Sequence, residues 1–181
     1  MTIKDKTGVT SARNIVLVGF MGTGKTLVGK LISKKLGMTF LDMDDIIVER
    51  AGMPISQIFA EKGEPHFRSL ERSLARELSA QKGLVIATGG GIVLNPENIS
   101  DFSQTGVVIC LSATPEIILK RVSGDTSRPL LSGTDKLKKI MDILKSRKHL
   151  YDAIPNCIDT TSLTSADVAD RVIRLFSGNP S

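Results

Sequence analysis

One segment limits what this chain can be more than any other. Gly19-Phe20-Met21-Gly22-Thr23-Gly24-Lys25-Thr26 fits the pattern G-x-x-x-x-G-K-[ST]. It falls between an apolar run, Asn14 to Val18, and a stretch in which Leu27, Val28, Leu31, Ile32 and Leu36 recur at helical spacing. A glycine-rich loop placed there lets backbone N–H groups converge on an anion, and the helix behind it adds its positive end. Such a loop is suited to polyphosphate: Lys25 would reach the β- and γ-phosphates, and the Thr26 hydroxyl would ligate Mg²⁺.

The remaining pattern repeats the strand-then-helix rhythm. Further strands are predicted over Thr39–Asp42, Leu84–Thr88, Val107–Leu111 and Cys157–Asp159. Helical patterns cover Asp44–Arg50, Ile55–Lys62, Glu64–Ser79, Pro115–Val122 and Asp135–Tyr151, with Gly37, Gly52-Met53-Pro54 and Gly63 as breaks. Ser165 reads as the N-cap of a last amphipathic helix that carries Val168, Val172, Ile173 and Leu175. Strands alternating with helices predict one α/β domain over 14–176, with a parallel sheet covered on both faces. The lead-in 1–13 and the polar tail 177–181 show no periodicity and are assigned no chemistry.

Composition narrows the classes. With 41% hydrophobic residues in 181, the chain can bury a sizeable core, which excludes a wholly disordered chain and a disulfide miniprotein. No Trp and a single Tyr argue against base-stacking platforms for single-stranded nucleic acid. The 24 Lys and Arg against 19 Asp and Glu, net +5, suit small anionic ligands. Lys136, Lys138, Lys139, Lys145 and Lys148 alternate with Ile, Leu and Met at helical spacing, so they read as the solvated side of a helix, not a nucleic-acid face. Cys110 and Cys157 sit in short apolar runs without metal-ligand spacing and are expected to be reduced core residues. No apolar run approaches the roughly 18 residues a membrane span needs, and residues 1–13 lack a signal-peptide pattern, so the expected location is the cytoplasm.

The phosphate loop alone does not separate a GTPase, an ATP-driven machine and a small-molecule kinase. No Asn-Lys-x-Asp segment is present to read guanine. Neither Leu-Val-Ile-Ala-Thr nor Val-Val-Ile-Cys-Leu ends in the Asp common in Walker B strands. The acidic partner must therefore come from elsewhere, and the best supply is Asp42-Met43-Asp44, at the carboxyl end of the second strand, where ligands of open α/β sheets gather.

Taken together, several segments give a specific resemblance. Gly-Phe-Met-Gly-Thr-Gly-Lys-Thr is followed by Leu-Asp-Met-Asp-Asp, by Ile-Phe-Ala-Glu-Lys-Gly-Glu with Phe67-Arg68, and by Ala-Thr-Gly-Gly-Gly. Arg128-Pro129-Leu130-Leu131 and Arg147-Lys-His-Leu-Tyr151 complete the series. In this order and combination, over about residues 14–176, the chain resembles the shikimate kinase family, within the nucleoside-monophosphate-kinase-like group of phosphate-loop proteins. The resemblance implies a three-layer α/β/α fold with five parallel strands in the order 2-3-1-4-5 and a lid at about 123–134. It implies phosphorylation of shikimate at its 3-hydroxyl by ATP with Mg²⁺, in aromatic amino-acid precursor synthesis, by a monomer without nucleic-acid or membrane partners. A gluconate kinase of the same fold, and a noncatalytic nucleotide-binding relative, are the rival readings.

Residue roles follow from the same resemblance. Gly22, Thr23, Gly24, Lys25, Thr26 and Leu27 would hold the nucleotide phosphates, Arg121 would stack on adenine, and Arg128 on the lid would meet the transferring phosphate. Asp42 would support Mg²⁺ together with Thr26. Asp44 would hold the ring hydroxyls and take the proton of the reacting one, although an Asp there also suits a helix N-cap. Arg68 and Arg147 would clamp the substrate carboxylate, a task for the planar guanidinium fork. Glu71, three residues on from Arg68, would orient it. Gly89, Gly90 and Gly91 would let backbone approach the substrate, and Phe59 and Phe67 would wall the ring or pack the core.

Overall fold

The computed structural model describes residues 13–123 and 135–178. Of the lid assigned to about 123–134, residues 124–134, with Arg128, lie outside the described residues, as do most of the lead-in and tail. Arg13, placed in the lead-in by its sequence, belongs to the folded domain: its guanidinium donates to the Phe176 carbonyl at 2.8 Å.

Five strands, β1 (Asn14–Val18), β2 (Thr39–Asp42), β3 (Leu84–Ala87), β4 (Gly106–Ser112) and β5 (Asn156–Asp159), form one sheet in the order β2-β3-β1-β4-β5. Every neighbouring pair is parallel. The helices are α1 (Lys25–Leu36), α2 (Met43–Ala51), α3 (Ile55–Ser79), α4 (Pro96–Thr105), α5 (Pro115–Val122), α6 (Lys136–Asp152) and α7 (Ser165–Phe176). A short 3₁₀ turn, Ile92–Leu94, precedes α4.

Alternation along β1 sorts the core into two layers. Val16 and Val18 face one side, with Met43 and Ile47 of α2, Leu74 and Leu78 of α3 and Phe102 of α4. Ile15 and Leu17 face the other, with Val28 and Ile32 of α1 and Val168 and Val172 of α7. A third cluster joins Phe20 and Met21 of the glycine loop to Ile118 and Val122 of α5 and Ile140 of α6. On the Lys-rich α6, Lys138, Lys139, Lys145 and Lys148 are exposed and Ile140 is buried, as the amphipathic pattern predicts, although Met141 is exposed.

Four details differ from the sequence reading. The α4 helix was not expected. Its start is carried by Asn95, whose side chain accepts the Glu97 N–H at 3.0 Å, and by Pro96 in the first turn. The two helical patterns around Gly63 run on as one element, kinked at that glycine (φ 81°, ψ 165°). The cap of α7 is Thr164, not Ser165: Thr164 and Asp167 form a reciprocal capping box, which leaves Ser165 as the first helical residue. Of the cysteines, Cys110 is buried as expected, but Cys157 is exposed because β5 is an edge strand.

Candidate active site

The strands β2, β3 and β1 are neighbours, so their carboxyl ends deliver three segments to one edge of the sheet. These are Asp42 to Asp44, Thr88 to Gly91, and the loop from Gly19 to Lys25. This is the crevice where open α/β sheets take ligands.

In the glycine loop, Gly19, Gly22 and Gly24 have φ of 136°, 75° and 98°, values that a side chain would strain. At Gly19 space forbids one as well, since a Cβ would overlap the Leu111 carbonyl oxygen, a backbone atom that cannot swing away. Thr23 staples the loop through its hydroxyl to the Phe20 carbonyl at 2.8 Å. The buried Lys25 ammonium curls back over the loop and donates to the carbonyls of Gly19 and Phe20 at 2.8 and 3.0 Å.

Asp42 resolves the question of which aspartate caps α2. One of its oxygens accepts the Asp44 N–H at 3.1 Å, so Asp42 is the N-cap. The other accepts the Thr26 hydroxyl at 2.7 Å. A threonine hydroxyl and a carboxylate held together at a phosphate loop form an oxygen donor set of the kind Mg²⁺ prefers. With Asp42 capping, Asp44 is left half-buried on the first turn of α2 beside the glycine loop after β3: a Cβ on Gly89 would come within 2.9 Å of its Oδ1.

Arg68, Glu71 and Arg147 arrive from α3 and α6. Arg68 is ion-paired to Glu71 and to Glu64, the latter at 2.8 Å, and its guanidinium lies 5.3 Å from the centre of the Phe67 ring. Glu71 is 1% exposed. Burial pushes its carboxyl above the ordinary range against the pull of Arg68, and the neighbouring Asp44 adds to the rise. Its Oε1 has no hydrogen-bond partner among the described residues and lies within 2.5 Å of where a Gly89 Cβ would be. Arg147 donates to the Gly90 carbonyl at 3.3 Å. Phe59 and Phe67, with ring centres 5.0 Å apart, add an apolar wall, and Phe67 also packs in the core.

These groups line a cavity of about 360 Å³ that includes Asp44, Phe59, Arg68, Glu71, Gly89 to Gly91 and Arg147. A second cavity, of about 260 Å³, is lined by Gly22, Gly24, Lys25, Thr26, Leu27 and Arg121. Met21, Thr26, Asp42, Asp44 and Gly90 belong to both, so the two spaces share a wall made of the acidic pair and the phosphate loop. Arg121 donates to Thr160 Oγ1 and O at 2.9 and 2.8 Å and to the Gly22 carbonyl at 3.3 Å, tying the loop after β5 to the phosphate loop. Sequence reasoning missed Thr160, a buried polar residue that also donates to the Ser112 carbonyl at 2.9 Å. No local motif marks it, because its partners come from elsewhere in the chain.

A phosphate loop opening on one cavity, and a pocket beside it lined by two arginines and by carboxylates, are the arrangement of a phosphate-loop kinase of small molecules. A family model described as shikimate kinase matches residues 21–177. A shikimate kinase of Thermodesulfovibrio yellowstonii is 45% identical over 164 residues, which are 91% of this chain and 95% of that one. The solved structure of the Acinetobacter baumannii shikimate kinase in complex with shikimate superposes with a TM-score of 0.88 at 38% identity, over 92% of this chain and 94% of that one. A Sinorhizobium meliloti gluconokinase reaches a TM-score of 0.58 at 15% identity, over 92% and 95% of the two chains, and shares the fold alone. The chain belongs to the shikimate kinase family, whose members are ATP-dependent phosphotransferases.

Proposed function

We infer that the chain transfers the ATP γ-phosphoryl group to the 3-hydroxyl of shikimate by direct in-line displacement. The observation that carries this reading is the shared wall. Asp44 and Gly90 border both cavities, while Arg68 and Arg147 stand in the one that lacks the phosphate loop's lysine. A ring acid seated there would turn its carboxylate toward the two guanidinium groups and its hydroxyls toward Asp44. Asp44 then orients the attacking hydroxyl and accepts its proton as the new P–O bond forms.

Lys25 would balance negative charge on the transferring phosphoryl group, and the backbone N–H groups of the glycine loop would hold the phosphates in line. Thr26 and Asp42 would hold Mg²⁺, which when bound neutralises phosphate charge. Gly89 to Gly91 keep one wall of the acceptor pocket free of side chains, and the aromatic pair Phe59 and Phe67 excludes water from the ring face. Arg121 would border the adenine end of the nucleotide cavity.

ADP release by the purified protein with Mg²⁺ and ATP tests the reading, using shikimate, gluconate or no acceptor. Release only with shikimate is expected. Release only with gluconate would reassign the pocket, and release without acceptor would make the protein an ATPase. Silence under all three conditions would leave a nucleotide-binding protein without turnover.

A further inference from the structure

Tyr151 sits one helical turn beyond Arg147 on α6, so both side chains leave the same face of the helix. Both reach one acceptor, the Gly90 carbonyl: the phenol donates at 2.9 Å and the guanidinium at 3.3 Å. The tyrosine ring packs between two core clusters, against the layer that holds Phe67 and against the one that holds Phe20. Gly90 in turn lies against the phosphate loop, where a Cβ on it would come within 3.2 Å of the Met21 backbone nitrogen. The order from helix to phosphate loop is therefore Tyr151, Gly90, Met21.

The two donors to Gly90 are not equivalent. Arg147 is the group an acceptor carboxylate would claim, and its longer bond to a neutral carbonyl is the weaker of its two choices. Once it turns to that carboxylate, the Gly90 carbonyl would lose one donor, and a half-buried carbonyl without a partner is costly. We propose that Tyr151 is a positioning residue for acceptor binding: its hydroxyl holds the Gly90 carbonyl, and through it the glycine wall against the phosphate loop, while Arg147 is engaged by the acceptor.

This rests on the reading of the acceptor as a carboxylate-bearing ring. Because the peptide is trans, fixing the Gly90 carbonyl also fixes the Gly91 N–H on its far side. The hydroxyl can serve as a constant donor, since burial pushes its pKa up to about 12, well clear of neutral pH.

Tyr151 is the only tyrosine and the chain has no tryptophan, so intrinsic emission excited near the phenol band reports this residue alone. Titrating the full-length protein with shikimate in the absence of ATP should therefore change that emission along a saturable curve, as the phenol's shared acceptor loses its second donor. Tyr151→Phe should raise the KM for shikimate about threefold to tenfold, the worth of one neutral hydrogen bond. The KM for ATP should stay within about twofold, and kcat within about threefold.

Unchanged shikimate KM in a folded Phe variant would overturn the proposal, and so would an ATP KM that rises in step with it. Should the variant fail to fold, emission that does not respond to saturating shikimate decides against the proposal equally. The unmodified chain is assayed first: if it neither binds nor phosphorylates shikimate, the functional reading itself falls, and this inference with it. That outcome is distinct from a functional enzyme indifferent to the loss of one hydroxyl.

Discussion

Replacing Gly91 with alanine would add a single methyl group at a position where backbone strain is small and contact is severe. Gly91 has φ −104° and ψ 3°, a bridge conformation open to alanine. A Cβ there would lie 2.5 Å from Arg68 Cζ and 2.6 Å from Nη2, against 3.4–4 Å for ordinary contact. The guanidinium must move by about an ångström, away from the place where it meets Glu71 and the acceptor pocket. Misplacement by about 1 Å can cost about 100-fold in rate. A charge-assisted hydrogen bond is worth about 1.5–3 kcal/mol, or roughly 10- to 100-fold.

Gly91→Ala is therefore expected to lower kcat/KM for shikimate about 10- to 100-fold while leaving the ATP KM within about twofold. The fold should tolerate the change, because the clashing atoms are the far end of a flexible side chain. Restricting the unfolded chain also returns about 0.4–1 kcal/mol. Steady-state kinetics in both substrates, alongside a thermal melt, measure these terms separately. A folded variant with unaltered kcat/KM for shikimate would refute the placement of Arg68 at the carboxylate.

Three further substitutions probe other walls of the site. Asp44→Asn keeps the shape and removes the proton acceptor, so kcat should fall about 10²- to 10⁴-fold with ATP affinity retained, read by single-turnover kinetics and nucleotide titration. Arg121→Ala removes the bonds from its guanidinium to Thr160 and to the Gly22 carbonyl and should raise the ATP KM about tenfold with little effect on that for shikimate; equal effects on both would place Arg121 outside the nucleotide end. Because burial raises the Glu71 carboxyl, the folded chain holds its proton more tightly than the unfolded chain. That contribution to stability is complete below the ordinary value of 4.5 and is lost as pH rises through the raised one. Urea unfolding should then show wild type losing ground to Glu71→Gln as pH rises across this window, and a difference independent of pH would contradict the buried, raised carboxyl.

Much of this site is legible in the sequence because local rules generate it. The phosphate loop is contiguous, its glycines answer to φ, and its flanking strand and helix show their periods in the side chains. Asp42 and Asp44 end a strand that topology carries to the ligand edge of the sheet. What local rules do not supply is partnership. From the residues alone Asp44 is as good a cap as a base; only the fold shows Asp42 taking the cap and leaving Asp44 at the cavity. Arg68 and Arg147 lie on separate helices, each an ordinary helix charge until the glycine wall brings them together. The strand order came from resemblance, since no period in the residues distinguishes β3 from β4 as the neighbour of β2.

The misses have similar causes. The α4 helix has only Ile99 and Phe102 as apolar residues, and its Asn-Pro-Glu start reads equally well as a turn. Phe102 seats it in the core, and Arg72 of α3 adds bonds to Glu97 at 3.0 Å and Asp101 at 2.6 Å that its own sequence does not announce. Cys157 looks like a core residue because alternation on an edge strand resembles alternation on a central one. Tyr151 belongs to a recognisable segment, yet its bond to Gly90 spans 61 positions of sequence.

The destination of the phosphoryl group tests the role of Asp44 most directly. Phosphorus NMR of the full chain with Mg²⁺, ATP and shikimate should show the γ-phosphate resonance decline as one phosphomonoester signal grows, coupled to the proton on ring carbon 3. Growth of inorganic phosphate alone, or a monoester on another hydroxyl, would contradict the pairing of Asp44 with that hydroxyl across the shared wall of the two cavities.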